Sequence, residues 1–151
     1  MLFEAAITRV LTEFQRATNK YTAFASPHEG YAVILEKLNE LEDLISSSRN
    51  DRIDHKTTQI CAMAIRFLVD VFDADTREAL QGLLTTKTSP FRGQPACRRL
   101  RYFALIKKHC DNLWAAVKAN NTHHQDQAVT DLAAAALASL MSGHDRVPGQ
   151  L

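Results

Sequence analysis

A chain of 151 residues, 46% apolar and 23% charged with only five glycines and four prolines, holds enough core-forming material for one helix-rich domain and is too short for two ordinary ones. Its net charge of +1 argues against electrostatic wrapping of nucleic acid, and three cysteines without CxxC spacing indicate neither a disulfide framework nor a zinc knuckle. No apolar run approaches the roughly 20 residues needed to span a bilayer, and Met1-Leu2-Phe3-Glu4 lacks a basic leader, so a cytoplasmic protein with no membrane partner is expected.

Phe3, Ile7, Val10 and Phe14 recur at three- and four-residue spacing and predict an amphipathic helix over 3–18. Ser26 as N-cap, Pro27 at the first helical position and Glu29 completing a capping box open a second helix over 27–47, with Tyr31, Ile34, Leu38, Leu41 and Ile45 as its apolar stripe. The run Ser46 to Asp51 breaks it. A third helix over 52–73 presents Ile53, Ile60, Ala64, Phe67 and Val71, and Asp75 with Glu78 marks a short fourth helix to Leu84. Ser89-Pro90 and Gly93-Gln94-Pro95 make residues 85–94 a loop. A fifth helix over 96–119 and a sixth over 123–142 follow, the latter opened by Thr122 and Gln125 as a capping box, with a frayed tail from Gly143. The fold class is therefore all-α, a bundle of five to six helices in one domain over 1–151.

Shifting the sequence by 72 residues without a gap pairs Ile34 with Ile106, Leu41 with Leu113, Asp54 with Asp126 and Ala62 with Ala134. This raises an internal pseudo-repeat, 24–73 and 96–145, in which two helical hairpins pack in tandem. Charge divides along the same line: residues 1–75 carry −4 and residues 76–151 carry +5, so the halves could attract one another within the fold or across a dimer. Arg98, Arg99, Arg101, Lys107 and Lys108 concentrate the positive charge, and pairing or solvation is the favoured reading for them over nucleic-acid binding. The Ala133 to Ala136 run reads as tight helix packing, with an oligomer interface as one place for it. The histidines do not suggest zinc, because no two lie at i and i+4 on one predicted helix.

Chemistry concentrates on the second helix. Glu36 and Glu40 lie one turn apart, a spacing that can hold a divalent cation between two carboxylates. Glu29 and Asp43 flank Glu36 at seven-residue spacing and extend an acidic stripe, which is also how a solvated helix face looks.

His28-Glu29-Gly30-Tyr31-Ala32-Val33, followed by Glu36 and Glu40 and then by Ala62-Met63-Ala64-Ile65-Arg66-Phe67, resembles a branch of the MazG-like all-α nucleoside triphosphate pyrophosphohydrolases. The likeness covers about a third of the chain, residues 24–69. It implies an oligomeric helical bundle, a dimer being favoured, that binds Mg²⁺ (Mn²⁺ as substitute) and cleaves a nucleotide to monophosphate and pyrophosphate. Glu36 and Glu40 would then be the catalytic metal ligands, and His28, Lys37 and Lys56 the residues near the substrate.

Lys37 stands where the middle Glu of the family's E-E-x-x-E motif would be, and Lys56 and Gln59 replace its E-x-x-D pair, so five acidic positions sum to zero charge. Glu29 or Asp43 could supply acidity from the same helix, and the 72-residue shift sets Asp131 opposite Gln59, so the second hairpin could supply an acid as well. The alternative is a catalytically degenerate relative that keeps the helices for nucleotide binding or for assembly with a partner.

Overall fold

The helix ends are written in short-range chemistry, and most fall where the sequence places them. The computed structural model describes residues 2–88 and 90–142, and among these the elements are six helices and no strand: α1 Phe3–Lys20, α2 Pro27–Ser46, α3 Asn50–Phe72, α4 Thr76–Thr85, α5 Pro95–Lys118 and α6 Thr122–Ser142. The tail expected from Gly143 lies outside the described residues.

Ser26 Oγ accepts from the Glu29 N–H at 3.2 Å and Asp75 Oδ1 from the Glu78 N–H at 2.7 Å, satisfying donors that have no partner inside the helix. The start of α6 differs by one position. Asn121 Oδ1, not Thr122, accepts from the His124 N–H at 3.0 Å. Gln125, expected to reciprocate in a capping box, is instead fully buried, donating through Nε2 to the Ala116 carbonyl at 3.3 Å. Ser48, Asp73 and Asn120 adopt left-handed backbone at the ends of α2, α3 and α5, the conformation that turns a chain out of a helix.

α2–α3 and α5–α6 form two hairpins. α3 and α6 pack against each other, α2 contacts α5, α1 lies on α3 and α6, and α4 joins the same two central helices. The Cys61 thiol donates to the Ala133 carbonyl at 3.5 Å, a contact between positions 72 residues apart. Burial follows from this arrangement: Thr57 to Leu68 of α3 and Leu132 to Leu137 of α6 are buried on every side. The alanine run is thus inside this chain, where its small side chains let α3 and α6 approach.

On α1 the buried stripe is Ala6, Val10, Glu13 and Ala17, while Phe3 is 40% exposed. Of the sequence-based stripe, Val10 is fully buried and Ile7 and Phe14 are partly buried against the core, so it is displaced only at Phe3 and is joined by Ala6, Glu13 and Ala17.

At the start of α2, Gly30 is a steric requirement. A Cβ there would meet Phe67 Cδ2 at 2.5 Å and Phe24 at 3.2 Å. Beyond it, Tyr31 stacks on Trp114 with centroids 4.8 Å apart and fixes α2 against α5. Among the described residues, no helix is long and apolar enough to cross a membrane.

Candidate functional site

A cavity of about 300 Å³ opens between α1, the α1–α2 loop, α2 and α3. Glu29, Val33, Glu36 and Lys37 reach it from α2, and Gln59, Met63 and Arg66 from α3. Those three α3 residues sit at i, i+4 and i+7, one face of a helix. The loop closes one end with Phe24 and Thr22.

α1 contributes Glu13, a buried carboxylate in the middle of an otherwise apolar stripe. Arg16 donates to both of its oxygens, Nη2 to Oε1 at 2.6 Å and Nε to Oε2 at 2.9 Å. This bidentate pair holds the Glu13 carboxyl below the usual carboxylate range against the opposing effect of burial, with the Gln59 amide adding a hydrogen bond.

Arg66 is buried, at 3% exposure, and staples the loop to α3. Its Nη2 donates to the Thr22 carbonyl at 2.8 Å and lies 3.4 Å from Asp70 Oδ2, and its guanidinium stacks over the Phe24 ring at 4.5 Å. Asp70 Oδ2 in turn accepts from the Phe24 N–H at 3.0 Å. Thr22, Phe24 and Arg66, joined in this network, make one end wall of the cavity.

The structure divides the residues predicted from sequence. Glu29, Glu36, Lys37 and Gln59 share the cavity, whereas Glu40, Asp43, His55 and Lys56 line a neighbouring hollow of about 380 Å³. Lys56 Nζ donates to Glu40 Oε2 at 2.7 Å, and Lys37 Nζ lies 3.7 Å from Glu40 Oε1. Together, Lys56 first and Lys37 second, the two ammonium groups hold the Glu40 carboxyl below its ordinary range.

His28 points away from these residues, edge-on to Trp114 with centroids 6.0 Å apart. Asp131 lines a third hollow, between α5 and α6 with Asn112 and His124, and is not brought to Gln59. The ion pairs Glu13–Arg16, Lys37–Glu40, Lys56–Glu40 and Arg66–Asp70 are all formed inside the acidic half itself.

Mg²⁺ requires oxygen ligands and is held largely by negative charge. Here Glu36 and Glu40 line separate hollows, Glu40 is already engaged by two lysines, and among the described residues no group of three or more His, Cys, Asp or Glu is placed to hold a metal. These side chains do not fit the Mg²⁺ or Mn²⁺ that the resemblance implies.

Sequence reasoning missed Glu13 and Arg66. Glu13 was legible only as a charge falling on the Ala6–Val10–Ala17 stripe, and Arg66 as a lone charge inside the apolar run from Ile60 to Leu68. Comparison with protein-family models, with curated proteins and with solved structures gives no match to this chain.

Proposed function

We propose that this chain is a MazG-like helical protein that binds a nucleotide in the α1–α2–α3 cavity and has lost metal-dependent hydrolysis of it. The observation that carries this reading is the 2.7 Å contact between Lys56 Nζ and Glu40 Oε2. A lysine at that position neutralises the carboxylate on which a metal would depend, and Lys37, at the cavity, brings a second positive charge to the same carboxylate. Lysine is also a common partner of phosphate groups, so Lys37 suits a nucleotide whose phosphates lie near the cavity mouth.

The pyrophosphohydrolase itself is the competing reading. In its favour, Glu13, Glu29 and Glu36 line the same cavity.

One experiment separates the two. Nucleoside triphosphates are titrated into the protein calorimetrically with and without Mg²⁺, while pyrophosphate release is followed on the same samples. Binding that persists without Mg²⁺, with no release, is expected. Metal-dependent release that disappears in the Glu36→Gln/Glu40→Gln variant would establish the hydrolase instead. Sedimentation of the same protein tests the homodimer that the resemblance implies.

A further inference from the structure

A hollow of about 500 Å³ opens where the start of α1, the end of α4, the α4–α5 loop, α5 and the end of α6 meet. It shares no lining residue with the α1–α2–α3 cavity, and none of its lining residues is charged. Leu83, Tyr102 and Leu137, all buried, form its floor, and Phe3, Leu84 and Phe91 stand at its sides.

The apolar surface left in water gathers at this end. Among the described residues five large hydrophobic side chains are strongly exposed, of which Phe3 (40%) and Leu84 (52%) line the hollow. Leu2 (69%) precedes Phe3 and Leu100 (53%) lies two residues before Tyr102, so that Tyr21 alone belongs elsewhere. Single exposed apolar residues are ordinary, whereas a cluster of them beside a concave apolar wall marks a contact site.

The surrounding charge is one-sided. Residues 79–110 contain seven Lys or Arg and no Asp or Glu. Three of these cations adjoin lining residues in the chain: Lys87 between Thr86 and Thr88, Arg92 after Phe91, and Arg101 before Tyr102. All three are exposed, and none forms an ion pair among the described residues. Glu4, beside Phe3, is the one carboxylate in a comparable position.

This combination selects among partners. A nucleic acid would match the cations, but the aromatic pair of the hollow is not free to stack on a base: Phe91 and Tyr102 pack edge-to-face with centroids 4.9 Å apart, and Tyr102 is 2% exposed. A lipid surface takes up apolar side chains that project, and here the apolar wall is concave. An amphipathic helix satisfies both features, its apolar face filling the hollow and acids along its edges meeting Lys87, Arg92 and Arg101.

We propose that this hollow is the docking site for a helix of a partner protein, apolar on one face and rich in Asp and Glu along its edges. The site is independent of the nucleotide reading, because the two hollows have no residue in common.

The probe is a fluorescein-labelled synthetic helix of about 18 residues, long enough to hold helical structure, with Leu at i, i+3, i+4 and i+7 and Glu between. Its anisotropy is followed against the full chain. Binding is expected, and a copy with Lys in place of Glu should bind about tenfold more weakly or worse, since its edges would repel the rim. Leu84→Glu, at an exposed position where folding is not at stake, should weaken the Glu helix by about tenfold or more, the loss of one interface anchor. Lys87→Glu/Arg92→Glu should weaken it too and reduce its sensitivity to salt.

The wild type carries its own locator, because Met141 lines this hollow and Met63 the other cavity. In protein labelled at the methionine methyls, the Met141 signal is expected to shift on adding the probe and the Met63 signal to stay. Binding that leaves Met141 unmoved, equal binding of the Lys helix, or no binding of the Glu helix would overturn the proposal. So would displacement of the probe by a single-stranded RNA, which would give the surface to nucleic acid, or by a peptide of residues 143–151, which would give it to that segment of this chain. Self-association that Leu84→Glu abolishes in sedimentation would give it to a second copy instead.

Discussion

Lys56 crosses from α3 to α2 to set its ammonium 2.7 Å from the carboxylate of Glu40, its side chain 14% exposed and that of Glu40 41%. The pair occupies the ground on which a metal site would have to be built. Half-exposed, it contributes on the order of 0.5–1 kcal/mol to stability, so Lys56→Ala is a mild change. The K37E/K56E variant is more informative, because it converts two neutralising cations into oxygen ligands. It is expected to gain Mg²⁺ binding in the millimolar range or tighter, seen as calorimetric heat absent from the wild type; equal, undetectable binding by both would show that charge was not what kept the metal out.

The pH dependence of stability has two limbs. Glu13 and Glu40 both titrate below the ordinary carboxylate value of about 4.3, Glu13 chiefly through Arg16 and Glu40 through Lys56. A depressed acid contributes stability above its unfolded pKa and loses it as pH falls through the folded one, so this limb lies below about pH 4.3. The second limb comes from His109, whose pKa burial pushes down, with Lys108 acting in the same direction and Asp131 opposing. Its contribution is complete above about pH 6.5 and declines as pH falls below that value. Urea unfolding at pH 7.5, 5.5 and 3.5 should show both steps, and His109→Leu should flatten the step between pH 7.5 and 5.5 alone; an unchanged slope there in that variant would sink the assignment.

The three thiols should differ in reactivity. Cys61 and Cys110 are buried, and burial pushes both thiols up to about 12, whereas Cys97 is exposed. The thiolate is the reactive species. One thiol in three is therefore expected to react with an aromatic disulfide reagent in the native protein at pH 8, and all three after unfolding. Rapid native reaction of two or more would show that the α3–α6 or α2–α5 interfaces open readily.

Gly30→Ala should destabilise although alanine is the better helix former. The helix gains about 1 kcal/mol from the exchange. Against it, the new Cβ would sit 2.5 Å from Phe67, a fully buried ring that also packs on Phe72, and overpacking of this kind costs about 1–3 kcal/mol or more. Equilibrium unfolding followed by Trp114 fluorescence should show a lowered midpoint, and an unchanged or raised midpoint would mean that the Phe67 ring can move aside.

The helices were largely readable because their ends are fixed by neighbours within four residues: Ser26 and Asp75 cap the helices they were expected to cap. Where two caps competed, at Asn121 and Thr122, local pattern could not choose, since the choice depended on burying Gln125 beneath Ala116. The apolar face of α2 was legible in the same way through Ile34, Leu38 and Leu41. That of α1 was legible through Ile7, Val10 and Phe14, while the small Ala6 and Ala17 and the charged Glu13 that complete its buried side gave no apolar signal of their own.

The candidate site was half visible. Glu29, Glu36, Lys37 and Gln59 do share one cavity, yet Glu40 and Lys56 belong to the next hollow and Asp131 to a third. One-turn spacing says that two carboxylates are neighbours; it does not say which cavity each will face. Glu13 and Arg66 stayed hidden because a buried charge is recognised only by its partners, and Arg16, Asp70 and Thr22 are partners that only folding identifies.

Gly30 lies near the start of α2, and what it records is how closely two helices meet. At this position the packing contact and the charge of the neighbouring α2 side chains are carried by different atoms, so either can change while the other is kept. The most legible letters of this sequence describe its skeleton, while its buried polar groups are less conspicuous: an arginine within an apolar run, a glutamine on α3 and a glutamate on the inner face of the first helix.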